Sequence, residues 1–279
     1  MINALVSLNA DLASSIAFRY ACRLTEYVDI RLQTIHVEEA DKETFPPGSG
    51  WVRSTWEKGL IQTAREEIMQ LINTEKTACP PLDASIIRIG EYDEELLHEI
   101  AGKAYDVFVE GILNSFHTQL FYKKIRSKLY KFATCPILLV KNLTTPDRVA
   151  LLLTDTTDIP PLVSTYLKLF KTPKSSVDLI HVSFNKPGKP EFREALKGNI
   201  MPVGRENAYK LLEAAKDMLA KKECAPKDTW IIQDSSEKIV EFISDYGLLA
   251  ACIPRSIHKD NPMLNLLSRV PSATLLCKK

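Results

Sequence analysis

Glycine runs out where a phosphate-binding loop would need it. The stretch "GILNSFHTQLFYKKIRSKLYKFATCPILLVK", Gly111 to Lys141, follows an apolar strand, "DVFVEG", and holds no glycine after its first residue. In a doubly wound α/β domain the loop after such a strand sets glycine amides at a helix N-terminus, where an anion can sit. Other absences exclude whole classes of function. The six cysteines (Cys22, Cys79, Cys135, Cys224, Cys252, Cys277) form no C-x-x-C pair. Four fall in apolar helix or strand patterns, where a buried thiol is the expected reading, not a metal or redox role. No run of about 18 apolar residues exists to span a bilayer. "MINALVSLNADLASS" has neither the basic start nor the long apolar core of a signal peptide. A soluble, cytoplasmic protein without membrane insertion is expected. With a formal net charge of +1, a general nucleic-acid coat or membrane-surface role is disfavoured. There is no Gly-x-Ser-x-Gly elbow, no His-Glu-x-x-His and no lysine-bearing P-loop. The expectation is therefore a non-enzyme with no catalytic residue and no metal site.

What is present is a chain of 279 residues, 45% apolar and 25% charged, enough for two domains of ordinary size. It also repeats itself. "MINALVSLNADLASSIAFRYACRL" opens the chain, and "DRVALLLTDTTDIPPLVSTYLKLF" opens it again at Asp147. "VDIRLQTIHV" and "SVDLIHV" both end in His-Val, at His36 and His181. "DEELLHEIAGKAYDVFVEG" matches "SSEKIVEFISDYGLLAACIP", and the copies close with "CPILLVK" and "SATLLCK". The second copy is the shorter, having lost residues in the loop after its fourth strand.

Each copy reads β-α-β-α-β-α-β-α-β. In the first, strands are expected near 3–8, 30–37, 84–89, 106–111 and 136–141, with helices near 12–26, 52–75, 93–104 and 121–132. In the second, strands fall near 149–154, 176–183, 229–233, 248–253 and 272–277, with helices near 159–170, 203–222, 235–245 and 262–269. The strands are continuous apolar runs without alternation, as expected when both sheet faces are covered. Asp93 and Ser235 stand where N-caps belong, and Asn261 precedes a proline at the first helical position. "NLTTPDR", 142–148, links domain 1 (1–143) to domain 2 (146–279). Strand and helix alternating at this spacing mean right-handed crossovers and a parallel sheet.

This order of segments resembles the universal stress protein family in its tandem, two-domain form. The resemblance covers nearly all of both copies and rests most on "RIGEYDEELLHEIAGKAYDVFVEG", Arg88–Gly111, and on "CPILLVK". It implies two α/β, Rossmann-like domains of the adenine nucleotide alpha hydrolase-like kind. Each would be a five-stranded parallel sheet flanked by helices, and the two would pair through their last strands as an internal pseudo-dimer. A further homodimer is compatible with it. It implies a stress-response or regulatory binding protein, a subset of the family holding ATP. The family's ATP site uses an aspartate ending the first strand and a loop with two glycines three apart, then nine residues, then Gly-Ser or Gly-Thr. Here the aspartate position falls on Asn9 in copy one and on Asp155 in copy two. Gly111 fits the first glycine, Asn114 stands at the second, and the Gly-Ser pair falls on or near Lys123-Lys124. In copy two the loop is "IPRSIHKDNP", without glycine.

Glycines in such a loop allow positive φ and let bare amides close round phosphate oxygens. Side chains there restrict the backbone and fill the space, so ATP is disfavoured and no cofactor is expected. A lysine pair at a helix start could still draw an anion by charge. Lys124, Lys128 and Lys131 share a face by spacing, with a solvated face as the plain alternative. Arg255, His258 and Lys259 in the second loop carry the same two readings. A small anionic ligand or an acidic protein partner is the resulting expectation. Asp155 in "TDTTD" also reads as a plain turn residue. His36 and His181 read as strand-end caps and not bases, and His98 as solvated. Trp51 and Trp56 are expected to pack inward at the start of the second helix, the alternative being closure over a ligand. The long segments 38–51 and 183–204 are candidate lids or partner surfaces. Three rival functions stand beside the binding-protein reading: an ATP switch with slow hydrolysis, a small-molecule sensor or carrier binding between the domains, and a scaffold regulating a transporter or kinase.

Overall fold

The computed structural model describes the chain except for residues 40–49, 76–78, 80–81, 114–117, 171, 173, 186–190, 197–203, 254–260 and 279. It divides into two compact units: Met1–Leu113 with Lys123–Leu143, and Asn114–Tyr122 with Thr144–Lys279.

Unit 1 contains β1 (Ile2–Ser7), α1 (Leu12–Leu24), β2 (Ile30–Glu38), α2 (Trp51–Glu75), β3 (Ile86–Ile89), α3 (Tyr92–Gly102), β4 (Val107–Gly111), the end of α4 (Thr118–Ile125), α5 (Lys128–Phe132) and β5 (Ile137–Val140). Its strands lie in the order β3-β2-β1-β4-β5, all parallel. The strands form because their residues can be buried on both faces: Ala4, Leu5, Val6, Val107, Phe108, Val109 and Leu138 are all at 3% exposure or less. β1 to β3 step one way across the sheet and β3 to β5 step the other. Right-handed crossovers therefore send α1 and α2 to one face and α3 to α5 to the other. The reversal lies between β1 and β4, so the crevice past their carboxyl ends is where a ligand of this fold binds.

Unit 2 contains β6 (Arg148–Leu153), α6 (Ile159–Phe170), β7 (Ser176–Phe184), β8 (Phe192–Ala195), α7 (Glu206–Ala220), β9 (Thr229–Asp234), α8 (Ser236–Ile243), β10 (Leu248–Cys252), α9 (Pro262–Arg269) and β11 (Ala273–Cys277). The order is β11-β10-β6-β7-β9-β8, with the reversal between β6 and β10. This sheet has six strands, not the five expected, because β8 adds antiparallel to β9. "FREA" has no strand-like apolar run. It is held from its flanks: Arg193 lies 4.8 Å over the Phe242 ring, Arg205 lies 5.0 Å over Phe192, and Lys238 pairs with Glu191.

Several local expectations need correction. The helix expected at 121–132 is two helices, broken at Arg126–Ser127. Lys124 and Lys128 therefore sit on different helices and do not form one face with Lys131. The N-cap of α3 is Glu91, whose carboxylate accepts from the Glu94 amide at 2.9 Å. Asp93 instead faces the start of α5, accepting from the Leu129 amide at 3.3 Å. Ser235 and Asn261 do cap α8 and α9. Trp51 is 79% exposed, while Trp56 is half-buried. α2 has only Ala64 and Ile68 buried along its whole length, so little apolar surface is available to draw Trp51 in. Cys22 is not a free thiol but is disulfide-bonded to Cys79 across 57 residues. Cys135, Cys252 and Cys277 are buried and Cys224 is half-buried, all four outside the disulfide.

Candidate functional site

In unit 1 the crevice past β1 and β4 is built around a buried carboxylate. Glu110 interrupts the apolar strand β4 and is 2% exposed. Such a charge costs several kcal/mol to bury unless it is paired and hydrogen-bonded. Three donors meet it. Tyr92 from α3 donates its hydroxyl to Oε1 at 2.6 Å, and Tyr130 from α5 donates to Oε2 at 2.6 Å. Lys124 from α4 places Nζ 2.6 Å from Oε1 and 5.8 Å from the centre of the Tyr92 ring. Because Tyr92 gives its proton to Glu110, Ser7 at the end of β1 must donate to the Tyr92 oxygen, at 2.7 Å. Burial, then the Glu110 charge, push both tyrosine hydroxyls well above their ordinary pKa. They stay protonated as donors. The cluster ties β1, β4, α3, α4 and α5 together at the carboxyl end of the sheet.

Gly111, next in β4, is needed for packing. A Cβ there would lie 2.0 Å from the Ala13 carbonyl oxygen and 2.4 Å from its carbon. The first turn of α1 therefore presses directly on the strand backbone. That turn is fixed by its own cap: Asp11 Oδ1 accepts from the Ser14 amide at 2.7 Å, and Ser14 Oγ accepts from the Asn9 amide at 2.8 Å. Asn9 is half-buried, and its carbonyl accepts from the Asp11 amide at 2.8 Å. Of the lysine pair, Lys123 is exposed and Lys124 turns in to Glu110. Asn114 lies outside the described residues.

His36, at the end of β2, donates from Nδ1 to the Leu8 carbonyl at 2.8 Å and faces Glu38 through Nε2 at 3.1 Å. It links the ends of neighbouring strands. His98 is exposed.

Unit 2 places Asp155 just beyond β6, 64% exposed by side chain. Its Oδ1 accepts from Asn207 of α7 at 3.0 Å and lies 3.2 Å from His181 Nε2. His181 is 1% exposed. Burial lowers its pKa, against the nearby Asp155 charge, which raises it. A neutral ring that donates from Nε2 leaves Nδ1 as a bare acceptor. That atom is buried and has no hydrogen-bond partner among the described residues. Where unit 1 has Gly111 at the end of its fourth strand, unit 2 has Cys252, whose Sγ lies 3.6 Å from the Asp158 carbonyl. Arg255, His258 and Lys259 lie outside the described residues. No group of three or more His, Cys, Asp or Glu that could hold a metal occurs among the described residues. A groove of about 510 Å³ runs along Glu66, Met69, Gln70, Asn73 and Thr74 of α2. It lies on one face of that helix.

No family profile and no curated protein matches the chain. Solved structures do. A universal stress protein from Archaeoglobus fulgidus superposes with a TM-score of 0.61 at 12% identity, over 99% of this chain and 96% of the other. A candidate universal stress protein from Pseudomonas aeruginosa gives 0.55 at 13%, over 99% and 92%. A second protein from Pseudomonas aeruginosa, of unknown function, gives 0.53 at 13% over the same shares. The chain has the universal stress protein fold. The likeness runs through both units and not through one alone. No helix among the described residues is long and apolar enough to cross a membrane.

Sequence reading missed Glu110, Tyr92 and Tyr130. The signal was a single charge inside an otherwise apolar strand, with tyrosines near the start of the helix before it and the end of the helix after it. Asn207 had no signal, because only the fold carries α7 to Asp155.

Proposed function

We propose that the chain is a tandem universal stress protein-like regulatory binding protein without enzymatic activity, in which the phosphate-binding part of unit 1 is degenerate. The observation that carries this reading is the Lys124–Glu110 pair with Tyr92 and Tyr130. Side chains of the protein itself take the charge and the donors that a bound phosphate would otherwise meet. A carboxylate there also repels an anion, and exposing the lysine would strand a buried charge. The expectation of a small anion held by Lys124 weakens accordingly. An acidic protein surface, met by the exposed Lys123, is the partner that fits better. Calorimetry of the full chain with magnesium ATP, ADP and AMP should give no binding heat up to about 1 mM. A dissociation constant below about 0.1 mM, equivalent to about −5.5 kcal/mol, would overturn the reading.

A second reading rests on Asp155, a largely exposed carboxylate at the reversal point of unit 2, positioned by His181 and Asn207. It would accept hydrogen bonds from a small neutral or cationic ligand. A thermal shift by such a ligand, abolished in Asp155→Ala, would favour it over the first.

A further inference from the structure

We propose that the Cys22–Cys79 disulfide is a reversible redox latch, which couples the thiol–disulfide balance of the surroundings to the docking of α2 and the edge strand β3. This goes beyond the binding role and does not depend on it. One stripe of α1 carries three attachments to the chain leaving α2. Ser15 Oγ donates to Glu75 Oε1 at 2.7 Å, Arg19 Nε lies 3.4 Å from Glu75 Oε2, and Cys22 bonds Cys79. Positions 15, 19 and 22 share a helix face by their spacing. Glu75 is the last residue of α2, so these polar contacts and the covalent bond help to hold that end.

Among the described residues, α2 and β3 are thinly held. Of the 25 residues of α2 only Ala64 and Ile68 are buried. β3 has four residues, all half-buried, and among the described residues pairs only with β2. Segments with so little buried apolar surface open first. A covalent tie at this place therefore governs more than it would inside a packed core.

The two sulfurs differ in access: Cys22 is 4% exposed, while Cys79 is half-buried. A small thiol or a dithiol protein is the reductant, and its thiolate attacks Cys79 Sγ. The S–S electron pair leaves on Cys22 Sγ, which takes a proton, and a mixed disulfide forms at Cys79. A second thiolate then attacks the reductant's sulfur. Cys79 leaves and is protonated, and the oxidised reductant carries away the new disulfide. Reoxidation runs the same steps backward with a disulfide as oxidant.

The test equilibrates the native full chain across reduced-to-oxidised glutathione ratios, traps thiols by alkylation and reads intact mass. In parallel, hydrogen exchange compares the two forms. The pair should interconvert reversibly without denaturant. The reduced form should exchange about ten-fold faster or more in α2 and β3, with β6 to β11 unchanged. Cys79→Ser should show the fast pattern under all conditions, and Cys224→Ser should keep the full response. The latch is refuted if the pair resists excess reductant until the protein unfolds. It is equally refuted if both redox forms, or Cys79→Ser and the oxidised parent, exchange alike.

Discussion

Replacing Gly111 with alanine separates two explanations of that glycine by the sign of the effect. Gly111 is not among the glycines with positive φ, which are Gly50, Gly90 and Gly204. If its only use were loop freedom toward a phosphate, alanine would fit the backbone. It would then stabilise the free protein by about 0.4–1 kcal/mol, through the unfolded chain. The structure demands the opposite. The new Cβ would stand 2.0 Å from the Ala13 oxygen, where real Cβ contacts essentially never fall below 3.0 Å. The obstacle is backbone, so no rotamer change relieves it. α1 must move off β4 by roughly an ångström, carrying Ala17, Phe18 and Ala21, all at 0% exposure. Overpacking of this kind costs about 1–3 kcal/mol or more, and the backbone origin puts this case at the upper end. At about 3 °C per kcal/mol for a unit of this size, the melting temperature should fall by about 9 °C. Circular dichroism or calorimetric melts without nucleotide suffice as the assay. An unchanged or raised melting temperature would refute the packing argument.

Gly247→Ala should destabilise unit 2 for the same reason, since its Cβ would meet the Thr145 carbonyl oxygen at 1.6 Å. Urea unfolding is the check, and a midpoint equal to the parent's would count against it. Tyr130→Phe keeps the ring but removes the donor to Glu110 Oε2, and a hydrogen bond to a charged group is worth about 1.5–3 kcal/mol. A loss near 2 kcal/mol in the same unfolding assay is expected. His181 has its folded pKa below the ordinary value, so the unfolded chain binds the proton more readily. Stability should be full above about pH 6.5 and fall as pH drops below it, by at most about 1.4 kcal/mol per pH unit. His181→Gln should flatten that slope in melts from pH 7.5 to 5.5. Glu99 acts lower in pH. Burial would raise its pKa, but hydrogen bonds from Arg88, Lys103 and Tyr105 outweigh burial and lower it. Its contribution is present above about pH 4.5 and is lost as pH falls through the folded value. Glu99→Gln should remove that acid-side component of a stability–pH curve.

The sequence announced the strand and helix order because its signals are local and strong. Buried parallel strands show as apolar runs, and Ser235 and Asn261-Pro262 mark helix starts without outside help. The missed features depend on contacts between distant residues. β8 exists because β9 offers an edge, and because Phe242 and Arg205, both outside "FREA", stack against its Arg193 and Phe192. The break between α4 and α5 had a cue in Ser127, but that cap makes no side-chain hydrogen bond. Two cysteines 57 residues apart spell no motif. At the candidate site, the end of β4 and its glycine were readable, whereas the filling of the crevice was not. That filling needs Tyr92, Lys124 and Tyr130 to converge from three helices on one strand residue.

Glu110 also bears on how firmly one arrangement is chosen over its neighbours. An apolar residue of similar volume at that position could pack as well or better, but it would accept several placements of the helices above it. The carboxylate accepts only one, in which three donors arrive together. It behaves as a locating pin, surrendering some stability so that the segment from Lys123 to Phe132 cannot slide by a turn along the strand.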